Sequence, residues 1–255
     1  MPELPEAETI ARTLAPHIAG FRVRAVRLFT DRVRRGSLPE LGGALVRRVG
    51  RYGKLIVWEL DRGWMLVELR MTGVLLWRPE PGPYTRAQFV FEHGAVSFDD
   101  IRQFGSVQWR PEAPNHLGPD PFEIGIQEFV HLLGRRRRLK PLLLDQGVLR
   151  GLGNIYVDEI LHRARIHPGA VAAALRAPRV ARLHDAMRAV LLAAIAAGGS
   201  SVSDYVDADG RPGHYQFEHR VYRREGQPCG RCGTPIRRIV VAQRGTRYCP
   251  RCQRL

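Results

Sequence analysis

Four cysteines form the most specific chemical pattern in the chain: Cys229-x2-Cys232 and Cys249-x2-Cys252, two closely spaced pairs with sixteen residues between them. A tight turn brings both thiolates of such a pair to one side, so two pairs can enclose one zinc ion. Four sulfur ligands leave no open coordination position, so the ion would be structural. It would replace a core that so short a segment cannot build. Two disulfides would use the same residues, but the cytosolic, nucleic-acid-binding character expected of this chain favours zinc. At the other end, removal of Met1 would give Pro2 a free secondary amine, with Glu3 and Glu6 beside it. Such an amine can attack an aldehydic carbon and form a Schiff base while a neighbouring carboxylate moves protons. Glutamates at a helix start also suit the helix dipole, so these residues alone leave both readings open.

Further candidates are basic or amide side chains. Lys54 and Lys140 are the only lysines among 40 Lys and Arg residues. A compact ammonium with a movable proton differs from the planar guanidinium that grips phosphate, although an Arg-biased composition could leave two lysines by chance. Gly151-Leu152-Gly153-Asn154 opens a helical pattern, where backbone N–H groups and the Asn154 side chain suit a phosphate and equally suit an ordinary N-cap. Arg244 falls in Gln243-Arg244-Gly245, read as the turn of a hairpin between Ile236–Val241 and Thr246–Tyr248, where it could reach a phosphate or simply be solvated.

The elements that must position these groups follow from periodicity. Pro5–Ala19 places Ala7, Ile10, Ala11, Leu14 and Ile18 on one stripe, which predicts an amphipathic helix just behind Pro2. From Phe21 to Trp109 the texture changes to short β-branched or alternating runs separated by Gly and Pro, the pattern of a β-sandwich or barrel. Pro111, Pro114, Pro119 and Pro121 mark a stiff linker. Helical patterns follow over Gln127–Leu133, around Gly147–Gly153 and over Pro178–Ala197, and the polar, glycine-bearing stretch from Ser200 reads as a mobile loop. The expected organisation is an α+β protein of two domains: residues 1–110, a helix plus β-sandwich or barrel; 111–124, a linker; 125–217, a helical domain with the loop; and 218–255, a cysteine-bearing hairpin.

Composition narrows the partners. In 255 residues, Lys+Arg 40 against Asp+Glu 25 leaves a net charge of +15, an excess that points to a polyanion such as nucleic acid. The longest apolar run, Ala189–Ala197, is too short for a spanning helix, and the acidic, Pro-rich start is no signal peptide, so a cytosolic protein is expected.

Pro2-Glu3-Leu4-Pro5-Glu6, the Gly-x-Gly-Asn-Ile-Tyr segment at 151–156, the four-cysteine site and Gln243-Arg244-Gly245-Thr246 occur in one order along the chain, and together they closely resemble the formamidopyrimidine-DNA glycosylases. The resemblance runs end to end. It implies a β-sandwich domain, a helix–two-turn–helix and a zinc-finger hairpin that clamp double-stranded DNA carrying oxidised bases or abasic sites. The implied activity is bacterial base-excision repair at the nucleoid, by a monomer with one structural zinc. Pro2 would attack C1′ of an oxidised purine nucleoside, 8-oxoguanine or a formamidopyrimidine, Glu3 would act as acid and base, and base loss would be followed by strand cleavage. Lys54 matches a lysine near the lesion phosphate, and Lys140 another basic DNA-contacting position. Asn154 and Arg244 match residues gripping phosphates around the flipped nucleotide. Met71, Arg102 and Phe104 match the trio that fills the hole left in the duplex, which recovers part of the stacking lost on extrusion. Residues 200–217 match the loop that closes over an oxidised purine.

The chain departs from that pattern at several places. Glu68 stands where His is usual, and its carboxylate would repel a phosphate. Gln103 replaces a second Arg, Ile101 a Pro, Arg223 a Gly, and the loop reads Gly213-His214-Tyr215-Gln216-Phe217. Two alternatives follow: an endonuclease VIII-like enzyme for oxidised pyrimidines, or a protein that binds lesions without cutting.

Overall fold

The structure, a computed structural model, describes residues 2–255; the removal of Met1 lies outside them. The chain divides into two compact units. The first comprises residues 1–115 and 195–216, the second residues 116–194 and 217–255.

The first unit opens with α1 (Leu4–Ile18), whose apolar stripe at Leu4, Ile10, Leu14 and Ile18 is fully enclosed. Nine strands follow: β1 (Ala25–Leu28), β2 (Arg34–Arg35), β3 (Val46–Tyr52), β4 (Leu55–Leu60), β5 (Trp64–Glu68), β6 (Gly73–Trp77), β7 (Thr85–Val90), β8 (Ala95–Asp100) and β9 (Ser106–Arg110). They form two sheets, one ordered β1-β7-β8-β6 and one ordered β2-β9-β5-β4-β3. All neighbours are antiparallel except β2 and β9. The core holds Ile56, Trp58 and Val67 of one sheet, Phe89 and Phe98 of the other, and Ile10 and Leu14 of α1. Of the sandwich or barrel that the period-two runs allow, the two separate sheets are the sandwich, as the resemblance implies.

The second unit contains α2 (Ile126–Leu133), α3 (Leu139–Leu144), α4 (Asn154–Arg163) and most of α5 (Ala177–Ala196), then the hairpin β10 (Arg237–Val241) and β11 (Arg244–Tyr248). No helix is long and apolar enough to cross a membrane among the described residues.

Three expectations change. Only the front of the proline-rich segment is a connection: from residue 116 the chain belongs to the second unit. There the buried Asp120 pairs with Arg150 at 3.3 Å, and the Phe122 carbonyl accepts a bond from Arg188. Proline content marks stiffness, and long-range partners decided the rest.

The stretch from Ser200 belongs to the first unit, and its middle is anchored: Tyr205 and Ala208 enter the sandwich core. Asp207 Oδ1 closes a local turn by accepting from the Asp209 and Arg211 N–H groups. Ala208 N–H donates to Thr13, Trp77 N–H to the Ala208 carbonyl, and Asp209 pairs with His17 at 2.8 Å. A polar composition hides such anchoring, because one aromatic and one side-chain-capped turn suffice for it.

The hairpin turn is Ala242-Gln243, both in the left-handed region at φ 47° and 60°, and Arg244 is the first residue of β11, opposite Val241. A two-residue turn with both central residues at positive φ matches the strand twist, and glycine or asparagine usually fills it.

Candidate active site and zinc centre

Each unit carries its own part of the candidate residues. In the first, Pro2 and Glu3 are buried at the N-terminal end of α1. Glu6, one turn on and 1% exposed, organises this end. Its Oε2 accepts the Glu3 N–H at 2.8 Å, and its Oε1 accepts the Ser200 N–H at 2.8 Å. One carboxylate thus fixes both the start of the helix and the segment that follows α5. Gly199, at φ 82°, passes so close that an added Cβ would lie 2.9 Å from Glu6 Oε1. Lys54 is half-buried at the second position of the Gly53-Lys54 turn joining β3 to β4, and Gly53 supplies the positive φ, 63°, that this turn requires. β3 is tied to α1 through Arg51, whose Nε lies 2.8 Å from Glu8.

Met71, Arg102 and Phe104 lie in two neighbouring loops of the same unit, one after β5 and one after β8. Met71 and Phe104 are half exposed, at 50% and 51%, and the Arg102 guanidinium stacks 4.4 Å from the Phe104 ring centroid. Leaving large apolar groups in water is unfavourable, so two such residues on adjacent loops, with Arg102 between them, mark a surface built for contact. Asp100, fully buried, locks the loops together. Its Oδ1 accepts from the Thr72 hydroxyl at 2.5 Å and the Arg102 N–H at 3.2 Å, and its Oδ2 accepts from the Gly105 N–H at 2.7 Å. Gln103 sits between the two presented residues at φ 54°. Glu68 is paired with Arg70 at 2.7 Å, which offsets the repulsion its carboxylate would exert on a phosphate.

In the second unit, Asn154 is the first residue of α4, whose N-cap is Gly153. Its Nδ2 donates to the Gly245 carbonyl at 3.1 Å, and its Oδ1 is enclosed with no protein partner. Asn154 therefore holds the hairpin beside the helix start, and Arg244 leaves that hairpin exposed.

Lys140 is not placed where a DNA-contacting side chain would be. It is completely enclosed, and its Nζ donates to Asp158 at 2.6 Å and to Thr246 at 2.8 Å. An ammonium with no exposed surface cannot meet an external phosphate. Asp158, also buried, accepts the Arg247 N–H through its other oxygen at 2.9 Å, so the pair staples α3 and α4 to β11. Burial pushes the Asp158 carboxyl up to about 6, against the pull of Lys140. Glu159 accepts three successive backbone N–H groups, from Arg220, Val221 and Tyr222, at 2.8–2.9 Å.

Sequence reasoning passed over Glu6 as a bridge and gave no role to Asp100, Asp158 or Glu159. The available signal was acidic residues at positions that the apolar pattern assigns to the interior.

The four cysteine sulfurs lie within 4.8 Å of one another, with contacts of 3.5 Å for Cys232–Cys249 and Cys232–Cys252 and 4.0 Å for Cys229–Cys252. A tetrahedral zinc with bonds of about 2.3 Å spaces its sulfurs at about 3.8 Å, so the cluster fits the ion. Among the described residues, its apolar cluster adds just Val221 and Ile236 to the cysteines, too little to order the segment without a metal. His162 of α4 packs against this centre. Burial, then Arg231, Arg220 and Arg165, push its imidazole down to about 4.

Three family profiles cover nearly the whole chain. They are described as the formamidopyrimidine-DNA glycosylase N-terminal domain (residues 1–107), the formamidopyrimidine-DNA glycosylase H2TH domain (117–206) and a zinc finger found in FPG and IleRS (226–255). The chain belongs to the formamidopyrimidine-DNA glycosylase family. A relative named formamidopyrimidine-DNA glycosylase, from Solibacter usitatus (strain Ellin6076), is 47% identical over the full length of both proteins. The crystal structure of the MutM (FPG) protein from Thermus thermophilus matches with a TM-score of 0.90 at 40% identity, covering 99% of this chain and 98% of that one. The Lactococcus lactis FPG mutant G226P in complex with Fapy-dG-containing DNA matches at 0.90 and 32% identity over all of both chains. The family is one of bifunctional glycosylase/lyases, and a single structural zinc accords with both the profile and the sulfur geometry.

Proposed function

We propose that Pro2 is the nucleophile and Glu3 the proton-transfer group of this base-excision enzyme, a DNA glycosylase and abasic-site lyase that removes oxidised purines from double-stranded DNA. The observation that carries the reading is the intact Pro2-Glu3 start, fixed by Glu6 in a chain similar to the family along its whole length. The Pro2 nitrogen attacks C1′ of the damaged nucleoside, and the glycosidic bond breaks with its electron pair leaving on the base. Glu3 supplies a proton to the deoxyribose ring oxygen as the ring opens to the Schiff base. Strand cleavage follows from that intermediate. Glu6 holds the Glu3 backbone, so the carboxylate and the amine keep one relative position.

Met71, Arg102 and Phe104 occupy the space of the extruded nucleotide, with Arg102 toward the orphaned partner base. Lys54, Asn154 and Arg244 hold phosphates around the lesion. Lys140 acts from inside the second unit and keeps the Arg244-bearing hairpin in place rather than touching DNA. Zinc supplies no reaction step; Cys229, Cys232, Cys249 and Cys252 would hold it to order the hairpin. Such an enzyme works beside the chromosome, in the bacterial cytoplasm. The pyrimidine-directed alternative finds no support, since the matched profiles and relatives carry the formamidopyrimidine name.

Borohydride trapping on a duplex with 8-oxoguanine opposite cytosine, followed by mass spectrometry of the crosslinked residue, tests the reading. An adduct on Pro2 is expected. Trapping on an abasic-site duplex alone would refute the lesion class, and trapping on neither would refute the chemistry.

A further inference from the structure

We propose that His162 is a positioning residue for the zinc centre, its Nε2–H donating a hydrogen bond to the Cys229 thiolate. Nε2 lies 3.6 Å from Cys229 Sγ, and the two residues are 3% and 2% exposed. At that distance and burial, water does not compete for the sulfur. A neutral imidazole has one N–H to give, and a thiolate only accepts, which fixes the direction of the bond.

The backbone confines His162 as well. Its carbonyl accepts the Arg231 guanidinium at 3.1 Å, and Arg231 lies between Cys229 and Cys232. The same residue therefore meets the first cysteine knuckle through both side chain and main chain. Three buried polar residues of α4 divide the C-terminal segment among them: Asp158 takes β11, Glu159 takes residues 220–222, and His162 takes the metal site.

Four thiolates around one divalent cation leave the centre with a net charge of −2, and a donor to one sulfur spreads part of it. The bond also holds the Cys229 sulfur in the orientation the metal site requires. His162 thus slows zinc release.

The test is the rate of zinc transfer from the full-length, zinc-loaded protein to excess chromogenic chelator at neutral pH. His162→Phe, which keeps the ring volume but has no donor, should release zinc on the order of tenfold faster. His162→Gln, which retains an N–H donor, should lie closer to the parent. Equal rates for all three proteins, or equal acceleration in both variants, would overturn the proposal, the latter because it reports only disturbed packing. In the parent protein, nitrogen NMR of His162 reads the tautomer without any substitution. A proton on Nε2 is expected, and a proton on Nδ1 alone would overturn the assignment.

Discussion

Replacing Lys140 with methionine separates the two places this side chain could act. Methionine keeps most of the stem volume and removes the charge. In the parent, Nζ donates to Asp158 at 2.6 Å and to Thr246 at 2.8 Å, and both members of the ion pair are fully enclosed. Removing one partner of a buried pair costs about 3–5 kcal/mol, because the remaining charge has neither water nor counterion. Asp158 already sits at about 6 with the lysine present, because burial outweighs the attraction. Without the lysine it climbs further and takes up a proton on folding. An acid whose pKa is raised by folding loses stability as pH increases, so the deficit of Lys140→Met should deepen above pH 6. Urea unfolding of the zinc-loaded protein at several pH values measures this. Lys140→Met/Asp158→Asn should recover at least half of the loss, since the amide oxygen still accepts the Arg247 N–H. A loss below about 1 kcal/mol in the single variant would refute the argument. So would unchanged stability with a salt dependence of DNA binding shallower by about one counterion, the mark of a side chain that touches phosphate.

Other outcomes follow from single groups. Asp100→Ala frees two loops held by three hydrogen bonds and should cost about 2–4 kcal/mol, with weaker binding of lesion duplex and little change on undamaged DNA; equal weakening on both would argue against a role in presenting Arg102 and Phe104. Gln243→Gly relieves a left-handed residue in the hairpin turn and should leave zinc-loaded stability unchanged or raise it by up to about 1 kcal/mol in thermal unfolding. A clear loss would mean that the turn is held by more than its backbone. His219, pushed down to about 4 by burial and by Arg223, folds neutral, so its share of stability is complete above pH 6.5 and disappears as pH falls toward 4. His219→Phe should flatten that part of the pH–stability curve, and an NMR titration giving an ordinary histidine value in the parent would refute it.

The sequence by itself determined whatever depends on neighbours within a few turns or strands. Cys-x2-Cys spacing dictates a shared metal because a tight turn aims both sulfurs one way, and the sulfurs do meet. The stripe through Ile10 and Leu14 determined α1, and the alternating runs determined a β-rich domain, sandwich or barrel, since periodicity alone decides which side chains can leave water. Residue types at the start of the chain marked Pro2 and Glu3, and the roles proposed for them rest on family resemblance, which spacing could not supply.

Tertiary structure decided what lies between distant segments. Lys140 looks like an available cation until α3, α4 and β11 meet around it, with 106 positions separating it from Thr246. Glu6 became a bridge only when Ser200, 194 residues away, came to its second oxygen. The loop after α5 reads as mobile because polar composition does not reveal that Tyr205 finds a place in the sandwich core. A buried polar group is stable only with its partners in place, and those partners are set by the packing of whole elements, which no local window of sequence contains.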